Sequence, residues 1–242
     1  MNLPPLVPGI FVRRVNRFRA QVLVEHTPAA AHVPNSGRLH DLFRPGVSVY
    51  LHRSAKPDRK TPYDLLLVDH EGVLVSIDAR LPPKLLSEAL TKGLLDPWLG
   101  APGPSWEVRT EPAHGVGRLD LHFWGPAGAW WIETKSVTLV EGGWALFPDA
   151  PTARGRRHLQ DLCDLVRSGQ RAAVVFVIQR PDAKGFAPHP TADPAFPAAL
   201  QAAAACGVQV RAYATQVSLR QIAITHAVPV RLNPPELALS AQ

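Results

Sequence analysis

"GRLDLHFWGPAGAWWIETKS", residues 117–136, reads as two strands around a Gly125-Pro126-Ala127-Gly128 turn, and its register decides how the second half of the chain is understood. Proline cannot take a positive φ, so a tight primed turn with Pro126 first is excluded and a four-residue loop is predicted. Any even-length loop centred there pairs residues whose numbers sum to 253, which sets Asp120 opposite Glu133 and Arg118 opposite Lys135. Directly opposed carboxylates repel across a sheet. A cation, a proton or the flanking Arg118 and Lys135 must compensate.

Two readings of this face stand side by side. In one, Arg118, Asp120, Glu133 and Lys135 form a solvated ion-pair ladder. Against it, the same face continues through His122 and Trp124 on one strand and through Trp131, Val137 and Leu139 on the other. Charges set into an apolar face are costly unless paired or metal-bound. In the second reading Asp120 and Glu133 are oxygen ligands, a set that suits Mg2+ or Mn2+ better than zinc. Lys135 then lies beside the metal, the arrangement wanted for phosphodiester hydrolysis: a polarised phosphoryl oxygen, an acidified water and a nearby positive charge.

Working outward, "LPPKLLSEALTKGLL" (81–95) has Leu86, Leu90 and Leu94 four apart behind Pro82-Pro83, the pattern of an amphipathic helix. Glu88 lies three after Leu85 on that helix, and is either a third acid for the site or a surface glutamate. "RRHLQDLCDLVRSG" (156–169) is a second helix ending at Gly169. "RAAVVFVIQR" (171–180) is a near-continuous apolar run, as expected of a strand buried on both faces. A further helix at "DPAFPAALQAAAACG" and a strand at "VQVRAYATQVS" complete an α/β domain with helices on both sides of a mixed sheet. Arg154, Arg156 and Arg157 open the helix after the motif strand, where they would grip a phosphate or simply solvate the helix surface.

The first third is different. "VNRFRAQVLVEH" (15–26) alternates as one strand, with Phe18, Ala20, Val22 and Val24 on one face and Arg17, Arg19 and Gln21 on the other. Further strands follow at "GVSVYLHR", "YDLLLVDH" and "GVLVSID", separated by "PNSG", "RPG" and "HEG" turns. Close spacing of short strands suggests a small barrel or rolled sheet. Asn35 and Ser36 of "PNSG" are turn formers or ligand contacts. Between residues 10 and 60, ten Lys/Arg, among them Arg13, Arg14, Arg17, Arg19 and Arg38, stand against three acids. That local excess of seven exceeds the +6 of the whole chain, so the remainder is about neutral. A basic module beside a neutral one points to a polyanion partner, most simply nucleic acid, unless arginine serves only solubility.

Composition limits the alternatives. The 242 residues, 46% hydrophobic and 19% charged, fit a soluble globular protein of one large or two ordinary domains. "MNLPPLVPGI" lacks a basic n-region, and no apolar run reaches the roughly 18 residues of a membrane span, so a cytoplasmic, soluble chain without a membrane partner is expected. Two cysteines, Cys163 and Cys206, make no disulfide framework and no cysteine-built zinc site. No phosphate-binding glycine loop is present, and the carboxylates do not sit on separate loops as glycosidases place them.

Asp120, then roughly a dozen residues, then Glu133-Thr134-Lys135 resembles the PD-(D/E)XK nuclease core, with Arg118-Leu119 in place of its proline-containing lead. "VPNSGRL" (33–39), "GRLD" (117–120), "IETKSVTL" (132–139), "FPDAPTARGRRHL" (147–159) and "GVQVRAY" (207–213) resemble, in order, the sugar fermentation stimulation protein A (SfsA) family. The resemblance implies an N-terminal OB-like barrel (1–80), a restriction-endonuclease-like α/β domain with a mixed central sheet (81–232) and a loose tail (233–242). It also implies nucleic acid as the partner, DNA ahead of RNA, and a nuclease site with acidic ligands Asp120 and Glu133, a helix glutamate Glu88 and the lysine Lys135. The competing implication is a non-catalytic DNA-binding regulator of sugar (maltose-type) metabolism genes that keeps the nuclease fold. The family usually has Val where Thr134 stands, on the strand face expected to point away from the site. "TARG" stands for its common "TERG".

Overall fold

The computed structural model describes residues 1–56, 59–102, 105–114 and 117–233. The expected tail (233–242) lies outside them apart from Asn233. Six strands open the chain: β1 (Leu6–Asn16), β2 (Arg19–Val24), β3 (Thr27–His32), β4 (Ser48–Arg53), β5 (Tyr63–His70) and β6 (Val73–Ser76). They run in the order β3-β2-β1-β4-β5-β6, and a parallel pairing of β3 with β5 closes the first five into a barrel. Its core is small and, apart from Phe11, aliphatic, with Val22, Leu42, Leu51 and Leu65 among its buried residues.

One expectation fails at the basic hairpin. The stretch 15–26 is not one strand: β1 ends at Asn16, and the side chain of Phe18, read as core-facing, is 49% exposed. Asn16 Oδ1 accepts the Phe18 N–H at 2.9 Å, an Asx turn that reverses the chain before alternation can carry Phe18 inward.

The second unit begins with α1 (Pro82–Thr91) and the short α2 (Asp96–Leu99). Then come β7 (Glu107–Thr110), β8 (Ala113–His114), β9 (Gly117–Arg118), β10 (Leu121–Gly125), β11 (Gly128–Val137), β12 (Leu139–Glu141) and β13 (Trp144–Phe147). It ends with α3 (Ala153–Arg167), β14 (Ala172–Ile178), β15 (Gly185–Pro188), α4 (Phe196–Cys206), β16 (Gln209–Val217) and β17 (Ile222–Ala227). The main sheet has the order β17-β16-β14-β11-β10-β7; β11, β14 and β16 run parallel and the outer pairs antiparallel. β14 is buried at every position. Ala173, Val175 and Val177 meet α1 and the outer face of β5 through Leu66 and Leu67, while Val174, Phe176 and Ile178 meet α3 and α4. Helices therefore cover both sides of a mixed sheet, as the apolar run implies.

The decisive hairpin keeps its counted register. Leu121 pairs with Ile132, His122 with Trp131 and Gly125 with Gly128, all summing to 253. The loop is shorter than expected, only Pro126-Ala127, because Gly128 at φ 111° absorbs the positive φ that proline refuses.

Gln179, fully buried just past β14, joins the two units. Its backbone takes Val137 O and receives the Ser76 N–H. Its amide accepts from Ser76 Oγ at 3.0 Å and donates to Asp78 O at 3.0 Å and Ser136 Oγ at 2.7 Å. Gln179→Ala would strand these buried groups, at about 1–3 kcal/mol. The expected outcome is a thermal midpoint lower by roughly 2–4 °C per kcal/mol for a chain of this size; an unchanged midpoint would remove Gln179 as the junction.

Candidate active site

β11 carries Glu133, Thr134 and Lys135 down the middle of the sheet, and β10 begins one residue after Asp120. The four residues line an open cleft of about 720 Å³. Its other walls are the barrel loop Asn35–Gly37, the segment Leu146–Pro151 and the start of α3. Thr152 caps that helix, its Oγ1 accepting the Gly155 N–H at 3.0 Å.

Glu133 is buried, with its side chain 4% exposed. Its Oε1 accepts from Lys135 Nζ at 2.6 Å and makes a short contact with His158 Nδ1. Arg154 Nε donates to His158 Nε2 at 3.2 Å, which requires a lone pair there and assigns the ring proton to Nδ1, facing Glu133. Glu133 Oε2 is buried and unpartnered among the described residues. Burial alone would raise this carboxyl's pKa, but the His158 bond and the Lys135 charge bring it below the ordinary value.

Asp120 departs from the expected opposition. The ladder stops at Leu121–Ile132, and the Asp120 carbonyl accepts from Glu111 N–H at 2.9 Å instead. Asp120 Oδ2 crosses to Thr134, accepting its backbone N–H at 2.8 Å and its hydroxyl at 2.5 Å. Thr134, expected to leave the site undisturbed, thus anchors one of its carboxylates. Burial first, then the Glu133 charge, raises the Asp120 pKa; the two Thr134 bonds pull it back only in part.

The structure does not bring Glu88 to this cluster. Its Oε2 takes the N-terminal ammonium of Met1 at 2.6 Å, where Met1 also donates to Ile222 O. α1 turns Leu85, Leu86, Ala89 and Leu90 inward and leaves Glu88 at that rim. Among the described residues no three His, Cys, Asp or Glu side chains converge as a metal-binding group, so the expected three-acid set is not formed.

The arginines divide. Arg17 and Arg154 line the cleft; Arg13, Arg19, Arg38 and Arg157 are exposed. Arg118 is exposed and pairs with Glu111 at 3.4 Å. Arg14 is occupied elsewhere: its guanidinium donates to the carbonyls of Arg17, Asn35, Gly37 and Arg38 at 2.6–2.9 Å. Arg156 makes a short pair with the buried Asp193. Neither of these two presents a free cation to a phosphate.

Sequence reasoning passed over His158, although it falls on the stripe Gly155, His158, Leu159, Leu162 that α3 buries. It also passed over Asp149, whose Oδ2 lines the cleft and accepts the Leu39 N–H at 3.3 Å.

A closed five-stranded barrel joined to a mixed-sheet α/β domain, with two carboxylates and a lysine in the cleft between them, defines the class. Residues 12–77 match the SfsA N-terminal OB domain and residues 80–221 the sugar fermentation stimulation protein RE domain. The chain belongs to the sugar fermentation stimulation protein (SfsA) family. It is 41% identical over 230 residues to a sugar fermentation stimulation protein homolog of Desulforamulus reducens, covering 95% of this chain and 94% of that one. A homolog of the same description from Natranaerobius thermophilus is 44% identical over 226 residues, covering 93% and 94%. Among solved structures, Pyrococcus furiosus SfsA in complex with Ca2+ superposes with a TM-score of 0.86 at 34% identity, covering 96% of this chain and 98% of that one.

A carboxyl whose folded pKa is raised holds its proton more tightly in the folded chain, so stability rises as pH falls through that pKa and is lower above it. Asp120→Asn removes the charge while an amide oxygen can keep both Thr134 bonds. The melting point in EDTA at neutral pH is expected to rise by about 2–4 °C for each kcal/mol relieved, and the gain to vanish below about pH 4. A fall at neutral pH would identify Asp120 as a stabilising rung of a structural ladder.

Proposed function

We propose that this protein is a divalent-metal-dependent nuclease, hydrolysing phosphodiester bonds of nucleic acid held across the cleft. One observation carries the reading: Glu133 Oε2 is buried without a partner, beside an Asp120 whose Oδ1 accepts no hydrogen bond among the described residues. A buried, unpartnered Glu133 oxygen and an Asp120 oxygen that accepts no hydrogen bond among the described residues, on residues lining one cleft, fit Mg2+ or Mn2+, which needs few protein ligands and keeps several waters. The Ca2+ named for the Pyrococcus furiosus relative supports an oxygen-rich cation site. When bound by Asp120 and Glu133, such a cation would polarise the phosphoryl group and lower the pKa of a bound water.

The chain's own residues supply the rest. His158 and Lys135 hold Glu133 Oε1, which leaves Oε2 unpaired among the described residues. Lys135 Nζ, with its side chain 13% exposed, stands where positive charge would offset the charge gathering on the phosphoryl oxygens. Thr134 fixes Asp120, and Arg17 and Arg154 on opposite walls are placed to take flanking phosphates. The partner is nucleic acid, DNA ahead of RNA.

A second reading has its own support. Glu133 Oε1 is already satisfied internally and no third acid converges among the described residues, as in a DNA-binding regulator of sugar metabolism genes that retains the fold without catalysis. Cleavage of labelled single-stranded, duplex and branched DNA and of RNA, with Mn2+, Mg2+ or EDTA, separates the two. The nuclease is expected to cut only with metal, with Lys135→Ala lowering kcat by roughly 10²–10³ and Asp120→Ala abolishing the metal-dependent cutting. No cutting of any substrate, with equal binding by all three proteins, would establish the second reading.

A further inference from the structure

Phe18 is the most exposed of the large hydrophobic side chains among the described residues, and the only aromatic one in that group. Its backbone is held on every side. The N–H is fixed by Asn16 Oδ1, and the carbonyl accepts from Val33 N–H at 2.9 Å and contacts His32 Nδ1 at 3.1 Å. The preceding carbonyl, of Arg17, accepts from Arg14 at 2.6 Å. Arg14 thereby ties the β1–β2 turn to the Asn35–Arg38 loop that reaches the catalytic cleft. A rigid backbone thus displays an aromatic ring to solvent, with the His32 ring 6.4 Å away, and Arg13, Arg17 and Arg19 of the same hairpin are exposed as well.

The turn also stands between two depressions. Arg17 lines the cleft that holds Asp120, Glu133 and Lys135. On the other side Arg13, Val15 and Arg19 border a groove of about 400 Å³ floored by Ala20 and Ala29.

We propose that Phe18 is a base-stacking anchor for single-stranded nucleic acid, which runs from the groove past Arg17 into the cleft. This rests on the reading of the cleft as a nucleic-acid site and adds its substrate class. An exposed ring whose chain neighbours Arg17 and Arg19 are also exposed offers stacking to any unpaired base and charge to the backbone beside it. A duplex keeps its base faces stacked inside the helix and offers the ring nothing comparable. A second copy of the chain is disfavoured as occupant, because a self-complementary contact would bring three arginines against three.

The test is fluorescence anisotropy in EDTA, where no cleavage occurs, using a labelled 12-nucleotide single strand and its 12-base-pair duplex as probes. Phe18→Ala is expected to weaken single-strand binding roughly 5- to 100-fold and duplex binding less than about twofold. Phe18→Trp is expected to restore single-strand affinity. Because Phe18 is half exposed, the Ala variant should melt with wild type, which separates lost stacking from lost folding. Equal losses on both probes, no loss on either, or a dimer in sedimentation that Phe18→Ala dissolves would each overturn the proposal. Binding is read without metal, so a failure to cut leaves this result standing, and cutting without a Phe18 effect would refute the anchor alone.

Discussion

One buried amide sets the geometry on which the rest depends. Gln179 meets the end of the barrel at Ser76 and Asp78 and the motif strand at Ser136, and every polar atom it carries is engaged. In a low-dielectric interior such a group is stabilising only while all its partners are in place, which makes the junction specific as well as firm. Around it, Leu66 and Leu67 on the outside of β5 belong to the same apolar cluster as α1 and β14. The barrel is therefore docked on the sheet through a continuous core. The loop Asn35–Gly37 forms one wall of the cleft whose other walls come from β11 and α3. A site shared by two units can be built to fixed distances only if the units share a core.

Within that frame the two carboxylates are driven apart electrostatically. For both, burial disfavours ionisation. Glu133 overcomes it through His158 and Lys135, whereas Asp120, with Glu133 as a neighbouring charge and only Thr134 as donor, does not. One acid is held ionised, and the other is poised closer to its proton, until a positive charge arrives. Divergent environments for paired acids are a recurring mark of sites that do chemistry. The arrangement is also locally unfavourable to the folded state at Asp120, whose charge is buried beside that of Glu133. A fold with its core elsewhere complete can carry that cost.

Much of the architecture could be read from pattern. The sum-253 register needed only the turn and a period of two, and the all-apolar run at β14 declared a strand with two buried faces. What escaped were features in which one side chain overrides a period. Asn16 bends the chain and turns Phe18 outward. The ladder ends one residue early at Asp120, so its carboxylate is fixed by the Thr134 N–H and hydroxyl instead of standing directly opposite Glu133. Glu88 was placed by helical phase near apolar neighbours, but phase within one helix does not say which rim faces the sheet and which faces the N-terminus. His158 was visible on the buried stripe of α3, yet a stripe shows burial without naming the partner across it.

The charge count shows the same limit. Sequence treats every arginine in the basic module as equivalent, whereas the structure spends Arg14 on four carbonyls. Only a guanidinium has enough donors in a planar fork to serve four acceptors, so this position calls for arginine on geometric grounds. Arg156, by contrast, is ion-paired with Asp193, whereas Arg14 keeps its charge but has its donors engaged. A polyanion approaching the surface meets fewer cations than composition suggests, and the salt dependence of its binding should follow the phosphates contacted rather than the arginines counted. Arg14 acts on the cleft indirectly, because the turn it braces carries Arg17, which lines that cleft.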